Sequence, residues 1–258
     1  MSGTTLGGGD DAYADTTAGA ASIFGGAGND TVLGGPGDDT IDGGADDDSL
    51  VGGTGLDLVF GDDGNDTLDG RDSDGGTDPD RMIGGGGNDS IIGGAGGDDL
   101  MGGDGDDTIL GGDGDDNIAL DAGQDLGFGG AGNDYINGGP DYTDTILGGT
   151  GADTILTGDG SDSVNGGDAL GGPDGADSII LDGVMFDDTL NGPAPQIGGH
   201  DTISWGDGQG NDTVYGGMGH DVAQIDKPET YTYERIGRGH PLGRDGINDW
   251  LVYRTQGA

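Results

Sequence analysis

The chain has 258 residues, 67 of them glycine and none cysteine, and its formal net charge is −44. Seven Lys and Arg residues are too few for a phosphate-binding surface, so nucleic-acid binding is excluded. The missing cysteines rule out disulfides and thiolate metal sites. All but Glu229 and Glu234 of the 51 acidic residues are aspartates. Aspartate tolerates turns and is a hard oxygen ligand, so the charge is patterned for hard cations rather than for solubility alone.

The first residues, "MSGTTLGGGD", carry neither a basic region nor an apolar run, and no cleaved secretory signal is expected from them. No apolar run reaches membrane-spanning length, so no membrane span is expected. Residues 1–24 read as degenerate N-terminal turns or a cap. From Gly25 onward the chain repeats G-G-x-G-x-D-x-U-x, where U is aliphatic, as in "GGAGNDTVLGGPGDDTIDGG". Full copies begin at Gly25, Gly34, Gly52, Gly84, Gly93, Gly102, Gly111, Gly129, Gly148 and Gly216. Looser copies fill the gaps, and inserts follow Gly70, Gly166 and Gly192.

The first six residues of each unit read as a turn and the last three as a short strand. Glycine permits positive φ and close backbone approach, which aims carbonyl oxygens into a small space. Strand alternation turns the middle residue inward. The expected interior is one aliphatic column: Val32, Ile41, Leu50, Val59, Leu68, Met82, Ile91, Leu100, Ile109, Ile118, Ile136, Ile146, Ile155, Val164, Ile179, Leu190, Ile203 and Val214. So thin a core stands only when units stack and something offsets the charge.

The turn aspartates supply the means. Stacked turns would bring carboxylates and carbonyls around an oxygen-rich cavity, which suits Ca²⁺ with its six to eight oxygen ligands better than Mg²⁺ or Zn²⁺. The candidate ligands are Asp30, Asp39, Asp48, Asp57, Asp66, Asp80, Asp89, Asp98, Asp107, Asp116, Asp134, Asp144, Asp153, Asp162, Asp177, Asp201, Asp212 and Asp221. Cage glycines accompany them: Gly25, Gly28, Gly34, Gly37, Gly84, Gly87, Gly93, Gly96, Gly102, Gly105, Gly111, Gly114, Gly129, Gly132, Gly148 and Gly151.

On these motifs the chain resembles the RTX, or haemolysin-type calcium-binding, family, whose nonapeptide is a known calcium-binding repeat. The resemblance implies an all-β, right-handed parallel β-roll (a β-solenoid) over residues 25–226, with two nonapeptides per coil. It implies multiple Ca²⁺ ions, each between unit n and unit n+2, so that Asp30 shares a site with the turn of Asp48. It also implies type I export, with folding outside the cell. "LDAGQDLGF" from Leu120 departs from the pattern: it lacks the paired glycines and puts Gly127 at the aliphatic position. A weakened site and a core defect are expected there, with Asp107 mattering more than Asp125. The segment 181–191 also lacks a glycine turn.

Assigning alternate units to two sheets places Thr31, Ser49, Thr67, Ser90, Thr108, Leu126, Thr145, Ser163, Thr189 and Thr213 in one outward row, beside an apolar row with Leu33, Val51, Ile92, Leu110 and Leu147. Thr31, Thr67, Thr108 and Thr145 are the candidate partner contacts, for self-assembly, a surface polymer or ice. Exposed β-propensity is the plainer reading of that row.

His200, His220 and His240 form no metal motif, and no serine or carboxylate pair stands out as catalytic, so no enzyme is expected. Residues 227–258 hold five of the seven basic residues and read as a C-terminal cap or an export signal. The reading is a calcium-folded, secreted or cell-surface structural module of bacterial type. The alternatives are the RTX region of a larger secreted enzyme or toxin, and a binding module using the Thr/Ser sheet.

Overall fold

A computed structural model describes residues 2–71, 75–140, 142–158 and 162–167, and beyond them the backbone of seven further strands between Ser178 and Arg254. Among the described residues there is no helix. The chain alternates between two parallel sheets, so each strand pairs with the strand two units before it and the one two units after. The first sheet runs through Ala21–Ala27, Thr40–Ala45, Leu58–Asp63 and Arg81–Gly86; the second through Thr31–Pro36, Ser49–Thr54, Thr67–Asp69 and Ser90–Ala95. This is a β-solenoid. Stacking already begins with Ser2–Gly8, which pairs with Ala21–Ala27.

The strands are longer than the sequence suggests. Thr31–Pro36 carries Gly34 and Gly35 inside it, and most units show the same six residues. The paired glycines thus belong to the ladder rather than to the turn, as in the pairs Gly35↔Gly53 and Gly94↔Gly112. With no Cβ they let successive coils approach where a side chain would collide: a Cβ on Gly35 would lie 2.5 Å from Asp15 O.

Side-chain alternation fixes the interior. Ile41, Val59, Met82, Leu100, Ile118, Ile136 and Ile155 stand in register in the first sheet and are all buried. Val32, Leu50, Leu68, Ile91, Ile109, Ile146 and Val164 do the same in the second. The column expected from the sequence is therefore present throughout these coils. Ile179, Leu190, Ile203 and Val214 keep the same register in backbone pairing; their side chains lie outside the described residues. One aliphatic side chain per nonapeptide offsets only part of the cost of ordering the backbone, so the edges must contribute.

The expected defect at Gly127 is absent. Leu120, at a position where most units carry glycine, is fully buried and joins the core cluster. A Cβ on Gly127 would lie 3.0 Å from Leu120 Cδ2, so leucine from one sheet fills the room left by glycine in the other. Asp121 replaces the second glycine and adopts a positive φ of 69°, a conformation aspartate tolerates better than most side chains. Past Val222–Ile225 the pairing changes character: Tyr231–Ile236 and Asp249–Arg254 form an antiparallel hairpin.

Candidate metal centres along the two edges

The turns stack into two edges, each carrying one column of aspartates. On the first edge the column is Asp30, Asp48, Asp66, Asp89, Asp107, Asp125, Asp144 and Asp162; on the second it is Asp39, Asp57, Asp80, Asp98, Asp116, Asp134 and Asp153. Every one of them is at least 96% buried. Each is held by a backbone donor from the coil before it: Asp30 N–H donates to Asp48 Oδ1 at 2.7 Å, Asp89 N–H to Asp107 Oδ1 at 2.7 Å, and Asp116 N–H to Asp134 Oδ1 at 2.9 Å. The rail is unbroken across the insert after Gly70, where Asp57 N–H reaches Asp80 Oδ1 and Asp66 N–H reaches Asp89 Oδ1. It starts from Asp11 and Ala21, whose N–H groups donate to Asp30 and Asp39.

Asp125, the aspartate of the irregular turn, is absent from the candidate ligands, and its turn is where a weakened site is expected from the sequence. It sits in the rail like its neighbours, accepting from Asp107 N–H at 2.7 Å and donating to Asp144 Oδ1 at 2.9 Å. Its nine-residue spacing from Asp116 and Asp134 was the available signal. Asp177, Asp201, Asp212 and Asp221 lie outside the described residues.

The rail satisfies Oδ1, and in nine of these aspartates it leaves Oδ2 unmet. The Oδ2 atoms of Asp30, Asp39, Asp48, Asp66, Asp89, Asp107, Asp116, Asp125 and Asp134 are buried without a hydrogen-bond partner. A buried carboxylate oxygen left so costs the full desolvation penalty unless a proton or a cation meets it. The surroundings of these oxygens indicate which. A Cβ on Gly70 would lie 2.7 Å from both Asp80 Oδ2 and Gly93 O; one on Gly93 would lie 2.5 Å from Asp98 Oδ2 and 2.7 Å from Gly111 O. Thus the carboxylate of one turn and the carbonyl of the next coil flank the same small space, and the first glycine of each unit keeps it open. Gly25, Gly34, Gly84, Gly102, Gly111, Gly129 and Gly148 border equivalent spaces. The fourth-position glycines Gly28, Gly37, Gly87, Gly96, Gly105, Gly114, Gly132 and Gly151 all have positive φ and shape the turn.

Burial raises the carboxyls of nine of these aspartates, Asp39 among them, and the rail's N–H donors only partly oppose it. Asp107, Asp116 and Asp144 are pushed up to about 7; Asp48, Asp66, Asp89, Asp125 and Asp134 to about 6. Neighbouring carboxylates on the same edge add to the shift, as Asp89 and Asp125 do at Asp107.

Among the described residues no three carboxylate or imidazole groups converge on one point. Each space offers few carboxylates and a backbone carbonyl from the next coil, all of them oxygens. That donor set fits Ca²⁺, which accepts mixed carboxylate and carbonyl ligation, and offers nothing to metals that need nitrogen or sulfur.

A model of the RTX calcium-binding nonapeptide repeat matches residues 15–50, 42–74, 74–109, 92–127, 141–169 and 198–223. The chain belongs to the RTX calcium-binding repeat family. No curated protein matches it. The family's ion is the one the donor set calls for, and this RTX chain is a calcium-binding repeat module.

The register also places Thr31, Ser49, Thr67, Ser90, Thr108, Leu126, Thr145 and Ser163 in one outward row of the second sheet. Leu33, Val51, Asp69, Ile92, Leu110, Phe128 and Leu147 form the next row. Asp69 is neutralised by a bidentate pair with Arg71 (2.6 and 2.9 Å), which holds its carboxyl below the usual range. No helix among the described residues is long and apolar enough to cross a membrane.

Proposed function

We propose that this chain is a calcium-folded structural module, secreted or displayed at a bacterial surface. The observation that carries the reading is the pair of buried carboxylate columns in which the Oδ2 atoms of Asp30, Asp39, Asp48, Asp66, Asp89, Asp107, Asp116, Asp125 and Asp134 have no donor. At neutral pH such columns repel one another, and cations neutralise them. The aspartates and carbonyls of the turns hold the ions; the ions supply the positive charge that joins coil to coil. Extracellular calcium modules bind at roughly 10⁻⁴–10⁻³ M, so a chain in cytosolic calcium stays unfolded and exportable. RTX repeats are typical of secreted bacterial proteins, which supports the same location.

The test is circular dichroism with calcium and with chelator. Calcium is expected to produce β-structure from a largely disordered chain. A full β spectrum in excess chelator at pH 8 would refute the reading.

A second reading, a contact surface on the second sheet, is favoured by its hydroxyl row and nearly uncharged apolar row on a chain of charge −44. Such a face desolvates at lower cost than the acidic edges. Lys introduced together at Thr67, Thr108 and Thr145 is expected to abolish assembly or partner binding. Lys at Thr40, Asn117 and Thr154 on the other sheet is expected to leave it intact, and the opposite result sinks this reading.

A further inference from the structure

Beside each rail of site aspartates lies the residue just before them in the turn, and here the two edges differ. In the middle of the first edge these residues are Asp47, Asn65, Asn88, Asp106 and Gln124, all exposed. Their hydrogen bonds run against the rail. Asn65 N–H donates to Asp47 Oδ1 at 2.8 Å, Asn88 N–H to Asn65 Oδ1 at 2.9 Å, Asp106 N–H to Asn88 Oδ1 at 2.9 Å, and Gln124 N–H to Asp106 Oδ1 at 3.0 Å. Neighbouring peptides in one turn are therefore pulled opposite ways. Asn88 N–H reaches back to the preceding coil, while Asp89 N–H reaches forward to Asp107. Each turn is clamped to both neighbours.

The second edge lacks this clamp in its middle coils. Leu56 N–H donates to Asp38 Oδ1 at 3.2 Å, but Leu56 has no acceptor to pass on. Pro79 has neither a donor nor a side-chain acceptor, and Gly97 has no side chain. The ladder resumes only where Asn133 N–H meets Asp115 Oδ1 at 2.7 Å and Ala152 N–H meets Asn133 Oδ1 at 3.0 Å.

We propose that Asn65 and Asn88, with Asp47 and Asp106, are positioning residues that preorganise the first-edge calcium sites, so that the first edge fills at lower calcium than the middle of the second. The inference rests on the calcium reading above. Its physical basis is that, as coils stack, a turn tied to both neighbouring coils has less conformational freedom left to lose when its ion arrives. The ladder touches peptides of the turn and not the ion, so the side chains act through the backbone. The filling order gives the module two stages: a half-loaded roll with one stiff edge, then a fully loaded one.

Calcium titration of the whole chain by calorimetry, with amide NMR signals of Asp66, Asp89 and Asp107 followed against those of Asp57, Asp80 and Asp98, reads the two edges separately. First-edge midpoints are expected at about threefold to tenfold lower calcium, the range one or two net hydrogen bonds supply. Asn65→Ala with Asn88→Ala should raise the first-edge midpoint and leave the second in place, while Asn65→Asp with Asn88→Asp, which keeps the acceptors, should restore it. Should the alanine variant not fold, Leu56→Asn with Pro79→Asn extends the ladder from Asp38 toward Gly97, and is expected to lower the second-edge midpoint. Coincident midpoints in the parent chain, or an extended ladder that leaves the second edge unchanged, overturn the inference. Absence of any calcium response would instead sink the calcium reading itself.

Discussion

Leu120 and Gly127 are packed against each other as complements: leucine stands where most units have glycine, and glycine where they have an aliphatic residue. The pair belongs to one repeat unit but to successive strands on opposite sheets, and the core column passes through it without a gap. Leu120→Ala is therefore expected to destabilise the calcium-loaded roll by about 2–5 kcal/mol, the usual cost of a buried leucine truncation. Gly127→Ala alone brings a Cβ to 3.0 Å from the leucine tip, which can shift, and should cost far less. The double variant Leu120→Gly with Gly127→Leu should recover most of the loss, since the two sites share one space. Urea unfolding in saturating calcium measures all three.

Asp125→Ala should harm folding as much as Asp107→Ala. The irregular turn around Asp125 suggests a weak site in the sequence, yet the two aspartates are equally buried and adjoin in the same rail through a 2.7 Å bond. Removing either leaves a neighbouring N–H without its carboxylate and an ion short of a ligand. Calcium midpoints for the two variants should agree within about twofold, a difference of roughly 0.4 kcal/mol. A much milder Asp125→Ala would show that the missing glycines do weaken the site.

Much of this architecture is legible in the sequence, because period nine maps directly onto position. Val32, Ile41 and their successors are core residues by alternation alone, and Asp30, Asp39 and theirs are edge residues by the same count. What escapes is whatever depends on the neighbouring coil. Gly34 and Gly35 read as turn because glycine is a poor strand former; they pair as strand because only a bare backbone fits beside the carbonyls of adjacent coils. Leu120 reads as an error until Gly127 is set across from it. The opposed hydrogen-bond directions at Asn88 and Asp89 have no sequence signature, since Asp occurs at both positions, as in Asp106 and Asp107.

The first glycine of a unit is predicted to be the least replaceable residue after the aspartate. On Gly102 a Cβ would strike Asp107 Oδ2 and lie 2.7 Å from Leu120 O, both of which border the ion's space. Gly8, also within a strand, has open space around its Cβ position. Gly102→Ala is expected to cost more than about 2 kcal/mol and to raise the calcium midpoint, whereas Gly8→Ala should fall within about 0.5 kcal/mol of the parent. Thermal unfolding at fixed calcium separates the two, and equal effects would count against the cradle.

The carboxyl shifts set the pH dependence, and its sign differs with and without calcium. Folding raises Asp107, Asp116 and Asp144 to about 7 and Asp48, Asp66, Asp89, Asp125 and Asp134 to about 6, against an ordinary value near 3.9 in the unfolded chain. Between about pH 4 and pH 7 the calcium-free roll thus binds more protons than the unfolded chain, and its stability falls as pH rises. The protons meet the Oδ2 atoms that calcium would otherwise meet. In chelator, β-structure is expected to be greatest near pH 4–5 and lost by pH 8. With calcium the order reverses: protons compete for the carboxylates, so affinity rises with pH through 6 to 7 and binding at pH 6 releases protons. Dichroism against pH in chelator, and calorimetry at pH 6 in two buffers of different ionisation enthalpy, check the two halves. A calcium-free roll that gains structure from pH 5 to pH 8, or binding at pH 6 with no proton release, would contradict the burial of these carboxylates as the source of the calcium requirement.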